Sequence, residues 1–545
     1  MLTTYFDSTL LSLGERSALH IFIIGALLYT LFSTVEGVIR NYIAARKAGL
    51  RILISPITPY TLQWRLVAAL LEKSLVRFRW YRAIDWTCAW QDGDTLHKEL
   101  GDCFAVVSPG LNVVCTSDPK TIEHVLKDWR GFVKPDNVNE ILGTFGQNVD
   151  TSNGDDWPRH RKIVAPCFSE RASATVWAEA VSQSNVLLSE WLSIRSADVV
   201  QDTGKLALNV ISAVAFENQH VSKPTKGHVL SLHDALTTVM STSISPALEG
   251  IMPWLDLPIL RHLMPRSIKK LVLACDEFKG YTTELLVNHR SSHSPTPNTS
   301  SNMNLINTLI NANSADAKAR LSDSELRGNV FIFTVGGLES TSATLAFALA
   351  LLAIHPEVQE WVREEVDEVI SGNSLDNMEY KDIFPRLKRV LAVMFETLRL
   401  YSPSPPLPRS FHNANAPFSI PTSDSEKAVV HLGPRTQIMM NSWASHASLN
   451  IPNSSPNTEF DPSRWLQSSS LSHNTPGFYP WGSGPRICPG MKFSQVEFCA
   501  VVVSVLARCR LSADKEEVEA VLQGSKADPL LLGMRGKVTV QMSER

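Results

Sequence analysis

Cys488 stands out by its surroundings. It ends a tight run, Trp481-Gly482-Ser483-Gly484-Pro485-Arg486-Ile487-Cys488-Pro489-Gly490, just ahead of an apolar helical stretch from Phe493 to Leu506. A thiolate placed there faces the free N–H groups and positive end of a helix, which stabilise negative charge. Arg486, two residues earlier, adds a permanent cation suited to a carboxylate. Alone, the loop reads first as a turn holding an inert buried cysteine, so other segments must decide.

A second group able to do chemistry is Glu339, Ser340 and Thr341, directly after Gly336-Gly337. These residues fall in the middle of a long helical pattern that the capping box Ser322-Asp323-Ser324-Glu325 opens and that ends near His355, before Pro356. Each glycine costs a helix about 1 kcal/mol relative to alanine. A pair at mid-helix therefore implies close backbone approach or a local widening where a ligand sits. One carboxyl and two hydroxyls in an otherwise apolar helix need partners. They suit a proton relay, or equally a helix contact with back-bonded hydroxyls.

The third group is charged. Glu396 and Arg399 lie three apart on the most apolar part of a helix spanning Arg386 to Tyr401. A buried ion pair persists only with further hydrogen bonds, so a third partner is expected, and Arg464 in Phe460-Asp461-Pro462-Ser463-Arg464-Trp465 can supply it. Trp157 and Arg161, four apart, share a face of a helix that starts at Asp155 and could together grip an acidic group on a flat ligand. An ordinary surface pair explains them as simply. The prolines of Ser402-Pro403-Ser404-Pro405-Pro406-Leu407-Pro408-Arg409 force an extended segment, fit to line a cavity wall and end in a second cation, Arg409.

The rest of the chain must position these groups. Over 545 residues, 44% are hydrophobic and 19% charged, the profile of a globular chain with a large core. A net charge of −3 gives no reason to expect nucleic acid as a partner. The eight cysteines are scattered, with no Cys-x-x-Cys, which leaves zinc ribbons and thioredoxin-type pairs unsupported and predicts reduced thiols. Phe104–Val107 and Asn112–Cys115 read as strands of a hairpin turned at Ser108-Pro109-Gly110, and residues 170–290 read as mostly helical. Ser291–Ser301 reads as a surface loop, and Ile251–Leu260 as either core or a loop dipping into a bilayer. Ser17–Val35 carries no charge apart from a possible His20. As a helix it would span roughly 28 Å, near the ~30 Å thickness of a bilayer core. Arg40, Arg46, Lys47 and Arg51 follow it, which puts the remainder of the chain in the cytosol. The expected division is residues 1–16 as an N-terminal segment, 17–35 as a transmembrane anchor, 36–60 as a linker and 61–545 as one catalytic domain. Leu62–Tyr81 is expected as a helix near the membrane surface.

Together and in order, these motifs resemble those of the cytochrome P-450 family, the heme-thiolate monooxygenases. Gly484, Arg486, Cys488 and Gly490 match its Phe-x-x-Gly-x-Arg-x-Cys-x-Gly loop, with Trp481 in place of Phe. Gly336, Gly337, Glu339 and Thr341 match its oxygen-activation helix, with Ser340 replacing the first Thr. Glu396/Arg399, Arg464 and Trp157/Arg161 match its remaining motifs, and the likeness covers about residues 60–540. The resemblance implies a mainly α fold, a single helical domain with small β-sheets around a buried heme b. Cys488 would be the axial iron ligand, and Trp157, Arg161, Arg409 and Arg486 would bind the propionates. Glu339, Ser340 and Thr341 would deliver protons during dioxygen reduction, while Glu396, Arg399 and Arg464 would hold the heme loop. It further implies a separate NADPH-dependent flavoprotein reductase, an endoplasmic-reticulum membrane location and a lipophilic small-molecule substrate. Fungal members commonly tailor secondary metabolites such as terpenoids or polyketides. The alternatives are a dioxygen-independent isomerase or dehydratase on the same fold, and a non-catalytic heme-binding protein.

Overall fold

The computed structural model describes residues 24–25, 28–135, 142–216, 223–243, 265–291, 304–315, 320–373, 375, 378–425, 428–449, 451, 456–467, 472–527 and 531–545. Helices dominate. Those that matter for the site are α1 (Leu62–Leu75), α2 (Pro119–Lys127), α3 (Asp156–Val164), α4 (Glu170–Ile194), α5 (Val199–Phe216), α6 (Leu232–Ser243) and α7 (Arg266–Ser291). They continue with α8 (Asp323–Ile354), α9 (Pro356–Ile370), α10 (Lys388–Leu400) and α11 (Met491–Arg508). One mixed sheet has the order β1 (Arg51–Ile54), β2 (Cys103–Val107), β3 (Asn112–Thr116), β9 (Thr436–Met440), β6 (Leu407–Phe411), β4 (Phe132–Val133). Among the described residues a three-stranded sheet that includes β5 (Ser196–Asp198) and two two-stranded pairs complete the β-structure; one hairpin pairs β7 (Phe418–Pro421) with β8 (Val429–Leu432).

The long helix α8 is the axis of the core. Its first turn is closed reciprocally: Ser322 Oγ accepts from the Glu325 N–H at 3.3 Å, and Glu325 Oε2 accepts from the Ser322 N–H at 2.7 Å. Beyond that cap, α5, α10 and α11 pack along it. Among the described residues it is the one helix long and apolar enough to cross a bilayer, and its burial makes it a core helix instead. Residues 17–23 and 26–27 of the anchor expected at 17–35 lie outside the described residues, as do residues 251–264 and 292–301.

Residues 36–60 correct the expectation of a linker. Residues 28–47 are helical, and β1 pairs in parallel with β2. The physical reason is a set of specific contacts. Asn41 Nδ2 donates to the carbonyls of Ser108 (2.8 Å) and Pro109 (3.2 Å), while Asn112 Nδ2 donates to the Asn41 carbonyl (3.0 Å). Any side chain at Gly37 would collide with the Pro109 carbonyl. Helix α1, in turn, leaves Leu66, Leu70 and Leu71 exposed. All eight cysteines are unpaired.

Three buried charges tie α10 to the segment ahead of the Cys488 loop. Glu396 receives five hydrogen bonds: Arg399 Nε (2.8 Å) and Nη2 (2.9 Å), Arg464 Nε (2.9 Å), Trp465 Nε1 (3.0 Å) and the Asp461 N–H (3.1 Å). The guanidinium groups spend further donors on carbonyls: Arg399 on Asn457 (2.7 Å) and Glu459 (3.2 Å), Arg464 on Asp461 (3.1 Å) and Pro456 (3.3 Å). The Glu396 and Arg464 side chains are fully buried, and the Arg399 side chain is 1% exposed. Removing one member of such a group strands the others in a dry interior. Glu396→Ala is therefore expected to lower unfolding free energy by about 3–5 kcal/mol, read from denaturant midpoints. Trp465→Phe, which removes one bond to the carboxylate, should cost about 1.5–3 kcal/mol. A loss well under 1 kcal/mol in both would show that the cluster does not hold this region together.

Candidate active site

The cysteine loop is fixed on both sides. Gly484 has φ +69, and a Cβ there would stand 2.7 Å from the Leu126 carbonyl at the end of α2, so only glycine fits. The Cys488 N–H donates to the Trp481 carbonyl at 2.9 Å, and Trp481 Nε1 donates to Ser494 Oγ on α11 at 3.1 Å. Trp481 also meets Phe395 of α10 edge-on, with centroids 6.0 Å apart. The loop thus closes on itself and is braced by two helices, with Cys488 three residues ahead of α11.

Cys488 is accessible although protein surrounds it, so it faces an internal hollow rather than bulk water. Burial pushes its thiol pKa up; the Gly490 N–H and the Arg161 charge pull the other way. Arg161 makes no side-chain hydrogen bond or ion pair among the described residues, and burial lowers its pKa. Arg486 donates to the Ser152 carbonyl and, at 3.5 Å, to Asn153 Oδ1, and it lies 5.1 Å over the Trp157 ring. Its Nε is buried with no partner. Trp157 packs on Trp129 with centroids 4.7 Å apart. Arg409, on β6, donates to the Pro408 carbonyl at 2.8 Å. Desolvation, joined at Arg409 by the neighbouring Arg486 charge, pulls both Arg409 and Arg486 down to about 10.

Two residues of this cradle escaped the sequence reading. Lys134, just past β4, pairs with Asp150. Burial lowers Lys134 to about 8 against the pull of Asp150. Burial pushes Asp150 up, but Lys134, Arg409 and Arg486 outweigh it and leave its pKa below the ordinary range. Asn153 locks the loop by accepting from the Lys134 N–H at 3.0 Å and donating to the Lys134 carbonyl at 2.9 Å. His160 is fully buried between α3 and α8. Its Nδ1 accepts from Asn329 at 3.0 Å, so its Nε2 is left to donate to Glu325 at 3.3 Å. Asn329 Oδ1 accepts from the Val149 N–H at 3.0 Å, tying the 142–154 loop to the same helix. A lone lysine and aspartate in a loop carry no periodicity, so only the charge they share in space identifies them.

Helix α8 runs without interruption through Gly336 and Gly337, which have different surroundings. A Cβ on Gly336 would meet nothing within 4 Å, whereas one on Gly337 would stand 3.1 Å from Ile211 on α5. Ser340, four residues on from Gly336, shares its open face and donates from Oγ to the Gly336 carbonyl at 2.6 Å. Thr341, four on from Gly337, shares the packed face and is 3% exposed. Glu339 is half-buried. Phe168 connects the two halves: it touches Gly490 and Phe493 beyond the cysteine and packs on Phe333 of α8, with centroids 5.3 Å apart. A soft sulfur ligand, four cations and a hydroxyl-bearing helix together suit a flat metal complex that carries acidic groups.

Comparison with known proteins agrees. The family model described as Cytochrome P450 matches residues 80–535. The phomenoic acid biosynthesis cluster cytochrome P450 monooxygenase of Leptosphaeria maculans is 28% identical over 543 residues, covering 89% of this chain and 90% of its own. Cytochrome P450 monooxygenase ORF6 of Penicillium roqueforti is 25% identical, with 93% of each chain covered. The crystal structure of the cytochrome P450DA heme domain superposes with a TM-score of 0.67, covering 91% of this chain and 98% of its own; at 19% identity it speaks for the fold alone. The chain belongs to the cytochrome P450 family, whose cofactor is heme b.

Proposed function

We propose that this protein is a membrane-anchored monooxygenase that inserts one oxygen atom of dioxygen into a lipophilic small molecule. It would draw electrons from a separate NADPH-dependent flavoprotein reductase, from the cytosolic face of the endoplasmic reticulum. The observation that carries the reading is one hollow that holds both the Cys488 thiol and the charges of Arg161, Lys134 and Asp150 acting on it. The residues fit heme. A thiol at a helix N-terminus supplies the axial sulfur, and the cations Arg161, Arg409 and Arg486 with the Trp157 ring suit two propionates. The unpartnered Nε of buried Arg486 is the donor such a carboxylate would satisfy. Secondary metabolism is supported by the cluster named in the Leptosphaeria maculans relative. The exposed leucines of α1 suit a membrane surface.

Bound heme supplies dioxygen reduction and oxygen transfer, and the chain supplies position and protons. Cys488 Sγ would ligate the iron as thiolate, with the Gly490 N–H and Arg161 offsetting its charge. Ser340 Oγ is oriented by its bond to the Gly336 carbonyl, which leaves its lone pairs free to accept a proton donor from the open face of α8. Glu339, the adjacent carboxyl, would recharge that hydroxyl with protons. Thr341, on the packed face, would be structural. The Glu396, Arg399 and Arg464 cluster would hold the segment that leads into the loop.

Two outcomes test this. Cys488→Ala should abolish the red-shifted Soret band of the reduced, CO-bound protein together with NADPH-dependent product formation; a retained band would overturn the thiolate assignment. Ser340→Ala should keep NADPH consumption while product per NADPH falls by about tenfold or more, within the usual worth of a positioned proton donor. Thr341→Ala should leave that ratio within about twofold on the same scale. The reverse pattern would move the proton-handling role to Thr341. Turnover with reductase and lipophilic substrates separates oxygenation from isomerisation or mere heme binding, since neither of those gives an NADPH-dependent product.

A further inference from the structure

The helix over residues 28–47 has two unlike faces. Gly37, Asn41 and Ala45, four residues apart, are turned to the body and buried. Phe32, Val35, Ile39 and Ile43, spaced by three and four, form a stripe on the other side and are 49–70% exposed. A sustained apolar stripe on a surface marks a contact with something apolar. It does not face open space. The end of β8 and the residues after it, Leu432, Gly433 and Pro434, rise opposite, and a Cβ on Gly433 would stand 3.0 Å from Ala44. Between helix and hairpin runs a groove of about 820 Å³.

The charges of this groove are uneven. Arg40, Lys47 and Arg435 line it together with a single carboxylate, Glu36, which Arg40 holds at 2.8 Å. Three permanent cations thus face one anion. The helix sorts the two chemistries along its length. It rises about 1.5 Å per residue, so Phe32 and Val35 lie some 18 Å or more from Lys47. The apolar end continues toward the segment expected to enter the bilayer, and the cations gather where the helix joins the folded body.

We propose that this groove holds one anionic glycerophospholipid, with an acyl chain along Phe32, Val35 and Ile39 and the phosphate between Lys47, Arg40 and Arg435. The site is separate from the heme hollow and concerns how the enzyme sits in its membrane. An apolar stripe that runs into a cluster of cations is complementary to a lipid with its headgroup at the interface. A free phosphate would leave the stripe bare, and a neutral lipid would leave the excess cations unanswered. The inference rests on residues 17–35 acting as the anchor.

The test uses the full-length heme-loaded protein in mild detergent, with phosphatidylserine or phosphatidylcholine added and bound lipid counted by native mass spectrometry. One phosphatidylserine should be retained per chain, at least tenfold more strongly than phosphatidylcholine. The double variant Lys47→Glu, Arg435→Glu should lose that preference while keeping the CO-difference spectrum of a folded enzyme. Equal retention of the two lipids, or an unchanged preference in the variant, would sink the proposal. So would glycerophosphoserine without acyl chains binding as tightly, or a dimer of this chain that the variant dissolves. Co-sedimentation with phosphatidylcholine vesicles checks the anchor separately. A chain that stays off the vesicles yet retains phosphatidylserine would fail the anchor reading and keep the lipid site.

Discussion

Positive charge confined in a dry interior governs this site. Lys134, Arg161, Arg409 and Arg486 converge on a hollow in which, among the described residues, Asp150 is the carboxylate acting on Lys134, Arg409 and Arg486. Burial already draws Arg409 and Arg486 down to about 10, far from the usual guanidinium range. Such an arrangement is tolerable only with anions near it. Asp150 supplies part of that charge from the chain itself, and in the proposed function two propionates with a thiolate would supply the rest. Asp150 therefore acts as a resident counter-ion to Lys134.

The surrounding framework answers that constraint in layers. Lys134 is held by Asn153, and residues 149–152 are hung on α8 through Asn329 and gripped by Arg486 from the cysteine loop. The cysteine loop, in turn, is wedged against α2 at Gly484 and pinned to α11 through Trp481. Trp481 does more here than fill the place of a smaller ring: its indole N–H bonds Ser494, a bond phenylalanine lacks. The departure from the family pattern therefore comes with its own hydrogen bond.

Much of this was readable from residue order because it rests on local rules. The capping box at Ser322, the hairpin at Ser108-Pro109-Gly110 and the extended Pro-rich run before Arg409 each follow from a few neighbouring residues. The bond between Glu396 and a distant arginine was legible because a buried pair so plainly needs a third member. What stayed hidden depends on distance in space. Lys134 and Asp150 sit sixteen positions apart, with no periodic spacing to join them. The unequal glycines of α8 also needed the neighbouring helix, since only Ile211 distinguishes Gly337 from Gly336. Residues 36–60 misled because charge and proline suggest a linker, while the contacts that fold them belong to β2 and β3.

The docking of residues 36–47 has a mechanical side. A helix seated by Gly37 against Pro109 and forked by Asn41 onto Ser108 can neither slide nor spin. From residue 28 onward the helix is therefore a rigid shaft fixed to the enzyme, not a tether. A rigid helical shaft also carries phase. Adding or removing one residue between the exposed end and Gly37 would rotate everything upstream by about 100° relative to the catalytic body. The length of that segment, and not only its hydrophobicity, thus sets which side of the enzyme looks toward its support.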